Sequence, residues 1–276
     1  EDHIFGIPLE SSLQNAKATI GYADDNIYYV GFVPIIVAKC GSYLKDQGLY
    51  TEGVFRVSGS AKRIGGLQQM FSTAPDYGRG LDWQGYSIHD AATVLRRYLN
   101  YLPEPVIVPR LYQAFKDTFK KNEGSDKIEA YQQLIEQLPI NHQYLLFYLL
   151  DMIALFALHA KTTKMDAPNL AAVFVTGILL DPDMATNPEE YKESQRVVQY
   201  LIEHNHQLKM PKSEWMAVPH LDRQESKNHL SHLSSSNNDP IEWSPTSKVK
   251  RSKTMPTKRS RYGMNDPLQV IQLNKT

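Results

Sequence analysis

Cysteine is almost absent: Cys40 stands alone among 276 residues. That excludes an internal disulfide framework and a zinc site built from several thiolates. A lone cysteine suits a reducing compartment, so the expected location is cytoplasmic. Charge of one sign is also missing. Lys and Arg number 30 and Asp and Glu number 30, which argues against a dedicated nucleic-acid binder. The longest apolar run, Leu145 to Ala157, is too short for a bilayer span and contains Asp151. No secretory signal opens the chain. It begins on Glu1 rather than Met, as a fragment of a longer protein would.

Several catalytic signatures are missing as well. There is no His-Glu-x-x-His pair. His229 and His232 are spaced for one helix face, but they lie in polar sequence and read as solvated coil. No Gly-x-x-x-x-Gly-Lys-Ser/Thr loop is present to hold a nucleotide. Gly85-Tyr86-Ser87-Ile88-His89 lacks the second glycine of a nucleophile elbow. Neither a metal nor a cofactor is expected in this chain.

The even charge balance hides a split. Residues 213–276 carry ten Lys/Arg against six Asp/Glu, and 17 of these 64 residues are apolar. Runs such as Ser234-Ser235-Ser236-Asn237-Asn238 and Ser244-Pro245-Thr246-Ser247 cannot bury enough apolar surface to offset their ordering entropy. The expected organisation is one folded domain over 1–212 and a mostly disordered basic and polar tail over 213–276.

The domain reads as all-α. Leu145, Leu146, Leu149, Leu150, Ile153 and Phe156 recur at the helical period, with Asn141 as the candidate N-cap. Asp166 precedes Pro168 at another helix start, followed by Leu170, Val173 and Phe174. Val94, Leu95, Tyr98, Leu99 and Leu102 form a further face, and Val197, Val198, Leu201 and Ile202 a last one. Ile27 to Phe32 has strand composition, whereas Ile35 to Cys40 suits a helix. No strand–helix alternation supports a parallel sheet.

The informative segment is Thr51-Glu52-Gly53-Val54-Phe55-Arg56-Val57-Ser58-Gly59-Ser60. Gly53 and Gly59 permit sharp turns, and Phe55 and Val57 would anchor the loop. Arg56 then has two readings of equal weight. It projects from a rigid base as a planar, permanently charged fork suited to phosphate, or it is tied to a carboxylate such as Glu52.

Gly53-Val54-Phe55-Arg56-Val57-Ser58-Gly59 resembles the arginine-finger motif of the Rho GTPase-activating (RhoGAP) family. Three further blocks follow the family order: Phe5-Gly6-Ile7-Pro8-Leu9 at the start, Val94 to Pro105 ending in Leu-Pro-x-Pro, and Met165 to Phe174 carrying Asn-Leu-Ala-x-Val-Phe. The likeness covers roughly residues 5–210, and the wording around Tyr29–Tyr43, Gly80–Trp83 and His89–Ala92 is most similar to a fungal subgroup acting on Rho-type GTPases in cell-wall and actin control.

The resemblance implies a multi-helix RhoGAP-type domain that is no enzyme by itself. Its partner would be a Rho-family GTPase holding GTP and Mg²⁺, and Arg56 would be inserted in trans. Arg96 stands where the family usually has a Lys that braces the finger loop. Gly59, Lys62 and Asn169 match supporting or interface positions. For Lys62 and Arg63 simple solvation competes with contact to a GTPase rim, and for Asn169 a buried structural role competes with partner contact. Trp83 reads as packing. Asn100 replaces a usual Arg. Gly177 replaces the asparagine that often helps hold the partner's switch region; if that contact is merely absent, Gly177→Asn should raise activity. The alternative function is a non-catalytic GTPase-binding scaffold.

In the tail, Lys248, Lys250, Arg251, Lys253, Lys258, Arg259 and Arg261 form a run without an acidic residue. Three readings compete: a solvated charge run, attraction to anionic membrane with a peripheral location, and a phosphorylation-dependent 14-3-3 site at Thr254 within 247–262. The last reading comes from Arg251-Ser252-Lys253-Thr254-Met255-Pro256, which resembles the 14-3-3 recognition pattern.

Overall fold

Most of the apolar periodicity becomes helix in the computed structural model, which describes residues 4–24, 27–180, 187–211 and 218–219. The order is α1 (Leu9–Asn15), β1 (Lys17–Asp24), β2 (Ile27–Pro34), α2 (Ile35–Gln47), α3 (Ala61–Ser72) and α4 (Ile88–Tyr101). Then come α5 (Pro109–Lys121), α6 (Gly124–Glu136), α7 (Ile140–Leu158), α8 (Ala160–Thr163), α9 (Ala167–Ile178) and α10 (Pro188–His204), with a 3-10 turn at Asn205–Gln207 and β3 (Val218–Pro219).

Helix α7 is the axis of the core. Leu145, Leu146, Leu149, Leu150, Met152, Ile153 and Phe156 are all fully buried, so it is apolar nearly all round, as an enclosed helix must be. By length and composition alone it could cross a membrane, but 72% of the qualifying stretch is buried inside the domain. Asn141 is not its cap. The helix begins after Pro139, and Asn141 lies inside the first turn, where its amide donates to Glu10 Oε2 at 2.8 Å. Pro139, at φ −54°, occupies the N-cap position, and no side chain caps the helix.

Helix α4 lies between α2 and α9, and α9 packs in turn on α10 and α7. Asp166 caps α9 as its sequence suggests, accepting from the Asn169 N–H at 3.0 Å with Pro168 in the first turn. Trp83 packs as expected, stacked on Tyr43 at 4.4 Å between ring centroids.

The mostly helical class holds, with one addition. Residues 17–34 form an antiparallel pair, registered from Lys17 opposite Pro34 to Asp24 opposite Ile27. Ile27 to Phe32 is therefore strand, and Ile35 onward is helix. Val218 and Pro219, placed in the tail on composition, pair with Tyr28 and Ile27 as a third strand. Thr254, the 247–262 segment and the His229/His232 pair lie outside the described residues.

Candidate functional site

The arginine loop is a tight turn between α2 and α3. Gly53 has φ +70°, and Phe55 also sits in the left-handed region at φ +69°. That conformation is unfavourable for a bulky side chain, costing on the order of 1–3 kcal/mol, and the surroundings hold it there. The Phe55 ring is buried edge-on against Phe156 of α7 at 5.0 Å and Phe174 of α9 at 4.9 Å. The Arg56 and Val57 N–H groups both donate to the Gly53 carbonyl, at 2.9 and 2.8 Å. The Gly53 N–H donates to the Thr163 carbonyl at 2.7 Å, tying the loop to α8.

Arg96 supplies the brace that its position suggested. From α4, its Nη1 donates to the Phe55 carbonyl at 2.7 Å and its Nε to the Val173 carbonyl at 3.2 Å. One guanidinium thus joins the loop, α4 and α9, with Nη1 and Nε each taking a separate carbonyl. Burial lowers its pKa from the ordinary arginine value, and the Tyr191 hydroxyl nearby opposes that shift.

Arg56 is exposed, and no hydrogen bond or ion pair holds its guanidinium among the described residues. Glu52 is exposed too and does not tie it down. The reading of Arg56 as a bound structural arginine therefore fails. Phe55 rather than Arg56 takes the inward position, and the arginine points away from the core.

The remaining candidates divide. Gly59 is required by close approach: a Cβ there would lie 2.3 Å from Asp90 Oδ1 and 2.7 Å from the Asp90 Cα. Lys62 is exposed at the start of α3. Arg63 is exposed but not free, because its Nε donates to Asp90 Oδ2 at 2.6 Å. Asn169 is exposed on the first turn of α9 rather than buried. Its backbone is used by the Asp166 cap, and its side chain is left at the surface.

Asp90, to which the sequence assigned no role of its own, is completely buried. It closes a capping box with Ser87 at the start of α4. The signal was present: Ser87-Ile88-His89-Asp90 before an apolar run is the Ser-x-x-acid pattern. Ser87 is thus a helix cap rather than part of a hydrolase turn.

A permanently charged guanidinium, exposed on a loop braced by four helices, is suited to meeting anionic charge on another molecule. The family profile of the RhoGAP domain matches residues 34–183, which include the whole arginine loop, Asp90, Arg96 and Asn169. This chain belongs to the RhoGAP domain family. It is 41% identical over 208 residues to Rho-GTPase-activating protein 5 of Schizosaccharomyces pombe, covering 74% of this chain and 58% of that one. It is 38% identical over 207 residues to Rho-GTPase-activating protein BAG7 of Saccharomyces cerevisiae, covering 73% of this chain and 50% of that one. The chain thus spans little more than half the length of these two relatives. The fold is also that of the human Rho GTPase activating protein 15 crystal structure, with a TM-score of 0.62 at 19% identity over 74% of this chain and 90% of that one.

Proposed function

We propose that this RhoGAP domain stimulates GTP hydrolysis by a Rho-family small GTPase in its GTP-bound form, with Arg56 as the arginine finger supplied in trans. GTP and Mg²⁺ belong to the partner, and the chain has no self-contained active site. The observation that carries the reading is an exposed Arg56, unpaired among the described residues, on a loop whose carbonyl, amide and aromatic ring are all held by the core. The backbone is thereby set before docking, and only the side chain remains to be ordered. In the transition state the guanidinium meets charge developing on the phosphates, in a site from which docking excludes water. A finger of this kind is generally worth about 10³–10⁵ in rate, or roughly 4–7 kcal/mol of barrier.

The test is phosphate release from a panel of GTP-loaded Rho-family proteins. Arg56→Ala should cut the stimulated rate by about a thousandfold or more while leaving binding to the GTP-bound partner largely intact. Near wild-type stimulation by Arg56→Ala would remove the catalytic assignment. The scaffold reading draws on Gly177, which offers no side chain where the family has asparagine. It predicts binding of the GTP-bound form without stimulation by the wild-type chain.

A finer proposal, a cytoplasmic role in Rho control of the cell wall and actin cytoskeleton, rests on the lone Cys40 and on the sequence resemblance to a fungal Rho-directed subgroup. The basic run in 247–262 supports peripheral membrane contact or, once Thr254 is phosphorylated, 14-3-3 binding. A phosphorylated 247–262 peptide compared with its Thr254→Ala version decides the 14-3-3 part. Equal or absent binding of the two rejects it.

A further inference from the structure

Helix α4 holds the arginine loop at two separate places. Near the tip, Arg96 takes the Phe55 carbonyl. Nearer the start of the same helix, Asp90 and Thr93 take the loop's exit. The Ser60 N–H donates to Asp90 Oδ1 at 2.8 Å, and the Gly59 N–H donates to Thr93 Oγ1 at 3.1 Å. Asp90 Oδ2 accepts from Arg63 Nε at 2.6 Å, from the Ser87 N–H at 2.8 Å and from the Ser87 hydroxyl at 2.9 Å.

A buried carboxylate must have both oxygens satisfied. Asp90 is 0% exposed and meets that demand with four donors. Burial alone would raise its pKa; the Arg63 guanidinium, the Ser87 N–H and hydroxyl and the Ser60 N–H outweigh burial and hold it at about 2. It is therefore an anion at neutral pH.

Helix capping accounts for only half of this arrangement. A capping box needs the Ser87 donors and the Asp90 N–H. It does not need Oδ1 turned to Ser60, nor Arg63 folded back from α3. Those two donors come from the segment that leaves the arginine loop. The Gly59 backbone lies so close to Asp90 that no β-carbon fits between them. The chain on the far side of Arg56 is thus laid directly on the carboxylate.

We infer that Asp90 is a positioning residue for Arg56: it clamps the loop exit at Ser60 and Arg63 while Arg96 clamps the tip, so that one helix fixes the backbone on both sides of the finger. This rests on the reading of Arg56 as a catalytic finger. Geometry of this kind controls rate steeply, since about 1 Å of misplacement can cost on the order of a hundredfold. Thr93 shares the duty through Gly59.

The experiment titrates the full chain against a GTP-loaded Rho-family protein and reads two quantities, the plateau rate at saturation and the half-saturating concentration. Asp90→Asn keeps the shape of the side chain but turns one acceptor into a donor facing Arg63 and Ser87, or Ser60. Its plateau should fall by about tenfold to a hundredfold with half-saturation within about threefold of wild type. A variant that merely folds poorly behaves in the opposite way: less active protein raises half-saturation and leaves the plateau untouched. Thr93→Val removes only the Gly59 acceptor at nearly constant volume, and decides the matter if Asp90→Asn does not fold; its plateau should fall several-fold. Plateaus within twofold of wild type overturn the proposal, whatever happens to half-saturation. Amide hydrogen exchange at Gly59 and Ser60 supplies a readout independent of activity. Faster exchange in Asp90→Asn supports the clamp and unchanged exchange overturns it, even if the wild-type chain stimulates no GTPase and the finger reading itself has failed.

Discussion

Gly177 replaces the asparagine that most of the family carries, and the structure bears directly on restoring it. Helix α9 crosses α4 at this point. A Cβ at residue 177 would lie 2.9 Å from the Leu99 Cβ and 3.2 Å from Asn100 Oδ1. Carbon atoms in contact prefer about 3.5–4.0 Å, so even alanine is roughly 1 Å too close. The Leu99 Cβ is fixed to its backbone and cannot swing away, so the two helices must part. Overpacking of this kind costs about 1–3 kcal/mol. Alanine regains roughly 0.5–1 kcal/mol over glycine in a helix, leaving about 0–2.5 kcal/mol; for a folded part of roughly 200 residues, each kcal/mol moves Tm by about 2–4 °C, which puts Gly177→Ala about 0–10 °C below wild type. Gly177→Asn should lose at least as much. The same two helices are joined by Arg96, whose Nε reaches the Val173 carbonyl at 3.2 Å. Parting them loosens the brace on Phe55, so the stimulated rate should fall with Tm. Gly177→Asn is accordingly expected to lower activity rather than raise it, contrary to the expectation drawn from the motif alone. Thermal unfolding followed by circular dichroism, with phosphate release on the same samples, checks both effects. A Gly177→Ala melt above wild type by the full margin expected for Gly65→Ala would refute the packing argument.

Other outcomes follow from the same geometry. Gly65 and Gly66 are helical, and a Cβ on either meets nothing within 4 Å; replacing each with Ala should stabilise the chain by roughly 0.5–1 kcal/mol, read as a higher denaturation midpoint. Asp90 has a folded pKa of about 2 against an ordinary 3.8. The unfolded chain therefore takes up the proton first, and the stability from this group is complete above about pH 5 and lost as pH falls towards 2. That loss is about 2 kcal/mol, and urea melts of wild type and Asp90→Asn should converge by that amount between pH 5 and pH 2.5. Arg96→Lys should lower the plateau rate, because one nitrogen on an unbranched stem must then serve two carbonyls that Nη1 and Nε now meet separately; an unchanged plateau would show that the arginine fork is dispensable.

The parts of this fold legible in the sequence were those with local causes. The apolar spacing of α4, α7, α9 and α10 sits in consecutive turns, and Asp166 with Pro168 marks a helix start within three residues. Strand β1 was missed because its signal is slight. Ala18 and Ile20 alternate inward with Lys17 and Thr19, but Gly21 breaks the pattern and the run has few β-branched residues. In β2, Gly31 looks like a weak strand position. It is there because the Tyr144 ring occupies the space a β-carbon would need, 2.6 Å away at the nearest atom. At the site, Gly53–Gly59 and Arg56 were legible because the loop is continuous in sequence. The partners of Asp90 were not, since Arg63 and Ser60 precede it by 27 and 30 residues. The cap at Ser87 could be read locally; the second use of the same carboxylate comes only from the packing of α3 on α4.

Among the described residues, Arg56 has no ion pair to give up. A finger latched to a carboxylate would need that latch broken before each encounter, and a signal could act on the latch. Here the guanidinium is armed at all times, and the cost of using it falls at docking, as the loss of up to about 2 kcal/mol of side-chain freedom. A domain built in this way is governed by access. On the proposed finger reading, control falls to whatever covers the loop or keeps the partner at a distance, and removing such a cover should raise activity without any change in the arginine itself.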